Sequence, residues 1–322
     1  MKYIIGAYAT APSLAISDKA LEKKFYDKLI DSIPQIRGLE IPFWGEEIHQ
    51  FGSSFLLDII NPKWENVLTC IPGTMEYLSK QPSFGLASED NQGRKNAIAM
   101  YKRVNIALKM MNDKYGRRSI IVVQIVTAPS VGKRGVRSSI DSFMKSLEQI
   151  MSWDWDGARI VVEHCDRFSP QQPFEKGFLS IEDEVKVLLK ISSQYNIGLT
   201  INWARSAIEG RSVKTPIQHL KLASSNNILS GLIFSGVSNS DELYGEWKDT
   251  HMPFAESYNS KYYEEKSLLT KENIKQTLGS INPKELDYLG VKLLSMPVEK
   301  PDIERRVGIN LDAISILDQI LL

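Results

Sequence analysis

The sequence predicts a closed (β/α)8 barrel, and three observations carry that prediction. Eight short apolar runs, rich in β-branched residues, are spread along the 322 residues. Each leads into polar residues and then a segment with helical spacing. Neither GxGxxG nor a GxxxxGKS/T sequence occurs, so the phosphate-binding signature of many open, doubly wound sheets is missing.

The runs are Tyr3–Ala9, Ile36–Pro42, Val67–Pro72, Ser119–Val126, Arg159–His164, Ile197–Trp203, Ile228–Phe234 and Leu289–Leu294. Near-continuous apolar strands suit a parallel sheet covered on both faces. Between them, Asp18–Ile33 sets Leu21, Phe25, Leu29 and Ile33 four apart, on one helical face. Asn96–Tyr115 does the same with Met100, Val104, Leu108 and Met111. Ser138 and Ser139 offer a cap for a helix running to about Met151, and Ser180-Ile181-Glu182-Asp183 opens another with a capping-box pattern. Thr215-Pro216 reads as a cap followed by proline in the first turn, and Asn310–Leu322 closes the chain as a helix. Strand–helix alternation of this kind makes a single barrel domain over 1–322, with extended loops after strands 3 and 7.

Composition narrows the function classes. Lys+Arg and Asp+Glu balance at 39 each, whereas a general nucleic-acid binder needs a basic surplus to neutralise phosphates. No apolar run reaches the roughly 18 residues of a membrane span. The apolar stretch of Met1–Ala9 is short for a signal sequence and reads as the first strand. Two cysteines, Cys70 and Cys165, are too few for a disulfide framework. A cytoplasmic location is expected.

In such a barrel the chemistry lies where strands end and βα loops begin. That rule selects Glu40 on strand 2, with Trp44 beyond it. It also selects Gln124 on strand 4, Glu163 and His164 on strand 5, Asn202, Trp203 and Arg205 after strand 6, and Lys292 on strand 8. Glu163 follows the apolar Ile160-Val161-Val162, and a carboxylate there must find a metal, a cation or a solvated pocket. Glu163 is therefore the first candidate for general base or metal ligand, with Glu40 as second acid/base. His164 neighbours Glu163 and should point the other way if the strand continues. His251, in the long loop after strand 7, could reach the pocket, whereas His49 and His219 read as structural or surface residues. Gln124 and Asn202 could orient hydroxyls, and Trp44 and Trp203 could stack on a sugar face. Arg205, with the glycine- and cation-bearing loop Ser130–Ser139, could hold an anionic group.

The segments Gly6-Ala7-Tyr8-Ala9, Gly38-Leu39-Glu40-Ile41-Pro42, Gly85-Leu86-Ala87-Ser88, Ile201-Asn202-Trp203-Ala204-Arg205-Ser206 and Leu289-Gly290-Val291-Lys292 resemble an uncharacterised bacterial family. That family lies within the xylose-isomerase-like TIM-barrel superfamily of sugar isomerases, epimerases and endonuclease IV-type enzymes. The resemblance implies a divalent cation (Mg, Mn, Co or Zn), with Glu163 matching its strand 5 ligand. The rest of the usual ligand set is incomplete: Asn202, Ser235 and Met296 stand on strands 6, 7 and 8.

The favoured expectation is an enzyme: an isomerase or epimerase of a sugar or sugar phosphate that abstracts a proton next to a carbonyl. Glu163 and Glu40 would serve as acid/base pair, with Lys292 or His251 stabilising the enediolate. Its partner would be a small, sometimes anionic carbohydrate, with neither nucleic acid nor membrane, and homo-oligomers are common among such barrels. Two alternatives remain open: a glycoside hydrolase or lyase using the same carboxylates, and a non-catalytic sugar-binding barrel whose metal site has decayed.

Overall fold

Residues 1–132 and 135–321 are described by the structure, a computed structural model. Eight parallel strands close into a barrel in sequence order: β1 (Tyr3–Ile5), β2 (Ile36–Pro42), β3 (Asn66–Thr69), β4 (Ile120–Ile125), β5 (Arg159–His164), β6 (Ile197–Asn202), β7 (Leu229–Phe234) and β8 (Tyr288–Val291). β8 returns to pair with β1 through Ile4↔Gly290 and Ile5↔Val291, so no strand is left with a free edge.

The described helices are α1 (Ala7–Thr10), α2 (Lys19–Ser32), α3 (Ser53–Ile59), α4 (Ile71–Lys80), α5 (Asn91–Tyr115) and α6 (Ile140–Met151), followed by α7 (Ile181–Ile191), α8 (Trp203–Gly210), α9 (Thr215–Ser225), α10 (Lys271–Leu278) and α11 (Ile303–Leu321). Capping explains several starts. The Asp18 carboxylate accepts from the Ala20 and Leu21 amides, Ser139 from Ser142 and Ser180 from Asp183. Asp90 accepts from the Gly93 amide and starts α5 five residues before the periodicity alone places it. At α9 the expectation shifts by one residue: Lys214 holds the cap position without a side-chain bond, and Thr215 is already helical. The interval after β3 is mostly helix, α4 and α5, rather than an extended loop. After β7, residues 235–270 run without a named helix or strand, tied back by an antiparallel bridge between Gly236 and Met252.

Side-chain alternation sorts the core into two shells. Outward residues such as Leu39, Ile41, Val123, Ile125, Val162, Ile201 and Val291 pack against the helices. Inward residues Ile4, Val67, Val122, Val161, Ile233 and Tyr288 fill the barrel floor. Gly231 on β7 leaves room for the Tyr288 ring, because an added Cβ would lie 2.4 Å from it. Above the floor the inward positions turn polar: the Gln124 amide donates to the Tyr288 hydroxyl at 2.9 Å, and that hydroxyl lies 2.6 Å from Thr200 Oγ1. The next inward positions form the mouth.

Candidate active site in the barrel mouth

Glu40 and Glu163 continue the inward faces of β2 and β5, two residues above Gly38 and Val161. Lys292 follows β8, and Gly6 makes space for it: a Cβ at Gly6 would stand 2.9 Å from Lys292 Cβ and Cγ. The Lys292 ammonium donates to Glu40 Oε1 at 2.5 Å and lies 3.6 Å from Glu163 Oε1. Arg205 reaches the same Glu163 oxygen at 2.6 Å through Nη1. Its Nε donates to Asp249 at 3.0 Å, and Lys176 meets Asp249 at 2.8 Å. Three carboxylates thus alternate with three cations around the mouth, and the side chains of Glu40, Glu163 and Lys292 are wholly buried.

Two of the cluster's members come from loops. Asp166 accepts hydrogen bonds from the amides of Glu175 and Lys176, folding the β5–α7 connection so that Lys176 turns inward. The Gly236–Met252 bridge brings Asp249 and His251 back over β7. His251 has a left-handed backbone (φ 53°), its Nδ1 lies 2.8 Å from Ser235 Oγ and 3.4 Å from Asp249 Oδ1, and 17% of its side chain reaches solvent.

The electrostatics separate the two glutamates. Burial opposes ionisation of Glu163, but Arg205 and Lys292 overcome it and bring its pKa down to about 2. Glu40 moves the other way: burial dominates, Lys292 only partly offsets it, and the Glu163 charge adds to the rise. Its Oε2 is buried without a hydrogen-bond partner. For Lys292, burial favours the neutral amine, yet Glu163 and Glu40 keep it firmly protonated. Burial brings the His251 pKa down to about 3 against the pull of Asp249, so its imidazole is neutral at physiological pH.

The other candidates fall as follows. Asn202 caps α8, accepting from the Arg205 amide at 3.4 Å, while its Nδ2 faces Glu163 Oε1 at 3.4 Å. Since α8 begins immediately after it, Trp203 swings out among the helices, where its indole donates to Thr277 Oγ1 at 3.0 Å. A stacking role inside the mouth does not fit that position. Gln124 lies one layer below the carboxylates. Arg205 spends its guanidinium on Glu163, Asp249 and the Cys165 thiol, which leaves an anionic ligand little to bind. Trp44 stands at the rim, edge-on to Tyr8 at 6.4 Å, and Tyr8, Pro42, Trp44 and His49 line a groove of about 270 Å³. Tyr8 connects that groove to the cluster, its hydroxyl 3.5 Å from Lys292 Nζ. Lys133 and Arg134 of the glycine-bearing loop lie outside the described residues. Sequence reasoning did not select Lys176, Asp249 or Tyr8; an acidic residue two before His251 was the available signal for Asp249.

The mouth does not fit a divalent cation. Two buried cations crowd the Glu163 oxygen that would bind it, and among the described residues no three His, Cys, Asp or Glu ligand atoms converge there. The group that does converge is His164, Glu209 and His219, behind the barrel wall. His164 points outward as strand alternation requires, with Nδ1 2.7 Å from Glu184 and Nε2 3.2 Å from Glu209. Glu184 and Glu209 outweigh the effect of burial and raise the His164 pKa to about 10. His49, also away from the mouth, is buried against Glu22 at 3.0 Å.

Comparison with known proteins finds the same barrel fold in several solved structures. The IolI protein with a bound zinc atom superposes with a TM-score of 0.60 at 14% identity, covering 99% of both chains. D-psicose 3-epimerase, solved with D-fructose, gives 0.56 at 13%, covering 99% of this chain and 98% of the other. A xylose isomerase domain protein from Alicyclobacillus acidocaldarius gives 0.53 at 12% over all of both chains. In sequence, uncharacterized protein STM3670 of Salmonella typhimurium LT2 is 36% identical over 315 residues, which is 98% of this chain and 96% of that protein. The chain belongs to the family described as domain of unknown function (DUF4862), whose model matches residues 4–309.

Proposed function

We propose that this protein is an enzyme that acts on a carbohydrate, an isomerase or epimerase that moves a proton at the carbon next to a carbonyl. The observation that carries the proposal is the Lys292 ammonium shared between Glu40 and Glu163 in the barrel mouth. Sugar-processing neighbours of the same fold, one of them holding D-fructose, support the substrate class by analogy.

Glu40 is the better base. Its raised pKa and free Oε2 suit it to take a proton from carbon, while the tight pairing of Glu163 with Arg205 makes that carboxylate a poor one. As the C–H bond breaks, its electron pair moves into the carbonyl and the negative charge develops on oxygen. Lys292 would meet that charge, and a preorganised donor of this kind often supplies the largest share of catalysis. Tyr8, between Lys292 and the groove, would donate to the same oxygen. Protonation of the same carbon from the face opposite Glu40, by a second donor, inverts it; return of the proton to the neighbouring carbon, with the hydroxyl proton passing to the original carbonyl oxygen, isomerises the sugar. Glu163, Arg205 and Asp249 hold Lys292 and each other in place, and no step passes through a metal ion.

A non-catalytic sugar-binding barrel is the second reading, favoured by the near-complete neutralisation and burial of the cluster. Incubating the full chain with free and phosphorylated aldoses and ketoses, followed by chromatography, separates the two. The enzyme reading predicts a new isomer whose formation falls about 10²- to 10⁴-fold in Glu40→Gln. A sugar that binds and is recovered unchanged would favour the second.

A further inference from the structure

Behind the wall of the barrel, His164 at the end of β5, Glu209 in α8 and His219 in α9 bring their ligand atoms within 4.8 Å of one another. We propose that these three side chains form a zinc site, separate from the mouth.

The two imidazoles are prepared in the same way. His164 presents Nδ1 to the Glu184 carboxylate at 2.7 Å, and Glu184 is itself held by the Thr127 hydroxyl at 2.7 Å. His219 presents Nδ1 to Ser206 Oγ at 3.0 Å. In each ring the outer nitrogen is engaged, which leaves both Nε2 atoms directed at Glu209, at 3.2 and 3.6 Å. Tetrahedral ligands about 2.0–2.1 Å from zinc lie roughly this far apart. A carboxylate behind a ligating histidine is the usual outer partner, fixing the tautomer and strengthening the donor.

Glu184 and Glu209 bring two negative charges to the site, with the Arg167 guanidinium 3.5 Å from Glu209 Oε1, and zinc would take the place of the proton that these carboxylates otherwise hold on His164. Two imidazoles and one carboxylate select zinc over magnesium or calcium, which prefer oxygen ligands. The pocket is nearly closed, with side-chain exposures of 0%, 7% and 9% for His164, Glu209 and His219. Glu209 also accepts from the Arg167 amide at 2.8 Å. Zinc there would fasten the β5–α7 loop, which carries Lys176 into the mouth.

The test uses the full chain, stripped with chelator, given one equivalent of zinc chloride and passed through gel filtration. One zinc ion per chain is expected to remain, to be lost in His219→Gln, and to bind about 10- to 100-fold more weakly in Glu184→Gln. X-ray absorption at the zinc edge of the unmodified chain is expected to show two imidazoles and no sulfur, a readout that needs no variant to fold. Failure to retain zinc, retention in folded His219→Gln at unchanged affinity, or a shell containing sulfur or fewer than two imidazoles would overturn the site.

Discussion

The residues of the mouth depend on one another because each buried charge is compensated by a neighbour. Removing one partner of a buried ion pair leaves the other uncompensated, which costs about 3–5 kcal/mol. Lys292→Met is therefore expected to lower the unfolding free energy by that amount in urea titrations. Glu40→Leu combined with Lys292→Met should lose clearly less than the two single changes summed; strict additivity would show that the pair does not interact. At this scale the sequence revealed whatever strand alternation controls. Glu40, Glu163 and Lys292 face inward and His164 outward, because successive strand residues take opposite sides. It did not reveal Lys176 or Asp249, whose positions are set by the Asp166 turn and the Gly236–Met252 bridge. Of the two positions open to Trp203, in the mouth or packed in the wall, the structure takes the second because a helix starts directly after β6 and carries the indole outward.

Among the elements, helix starts and the barrel floor are the testable features. Ser180 accepts from the Asp183 amide at 3.2 Å at the start of α7, so Ser180→Ala should cost about 1 kcal/mol, measured by the shift of the denaturation midpoint at constant slope. Gly231→Ala would drive a methyl into the Tyr288 ring, and overpacking of this kind costs about 1–3 kcal/mol. A neutral effect would mean that the floor is less tightly filled than described. Helices with strong periodicity or a polar cap were legible, as α2, α6 and α7 demonstrate. The short α8 was not, because only four residues, Arg211 to Lys214, separate it from α9, and an apolar run leads directly into it.

Across the whole molecule, the buried titratable groups set the pH range of stability. Glu163, with its pKa brought to about 2 by Arg205 and Lys292 against burial, stabilises the fold above the ordinary value of 4.5, and that contribution disappears as pH falls towards 2. Burial brings His251 and His219 to about 3. Below their ordinary value of 6.5 the unfolded chain takes up those protons first, so stability again falls with pH. His164 has the opposite sign: raised to about 10 by Glu184 and Glu209 despite burial, it stabilises the fold below 6.5, and its contribution fades as pH rises to 10. Glu40 and Glu184, both raised by burial, likewise lose stability as pH rises, so thermal melts in chelator should decline from pH 6.5 towards 9; a steady rise to pH 9 would contradict these assignments. The closed barrel itself was legible from eight apolar runs, since the strand order follows the chain without a crossover.

Solvent-hydrogen exchange tests the proposed chemistry most directly. The full chain is incubated in D2O with the sugar it converts, and the recovered sugar is read by mass spectrometry and NMR. Proton transfer through Glu40 predicts deuterium at the carbon beside the carbonyl. An isomer formed with no deuterium at that carbon would point to direct hydride transfer and contradict the account.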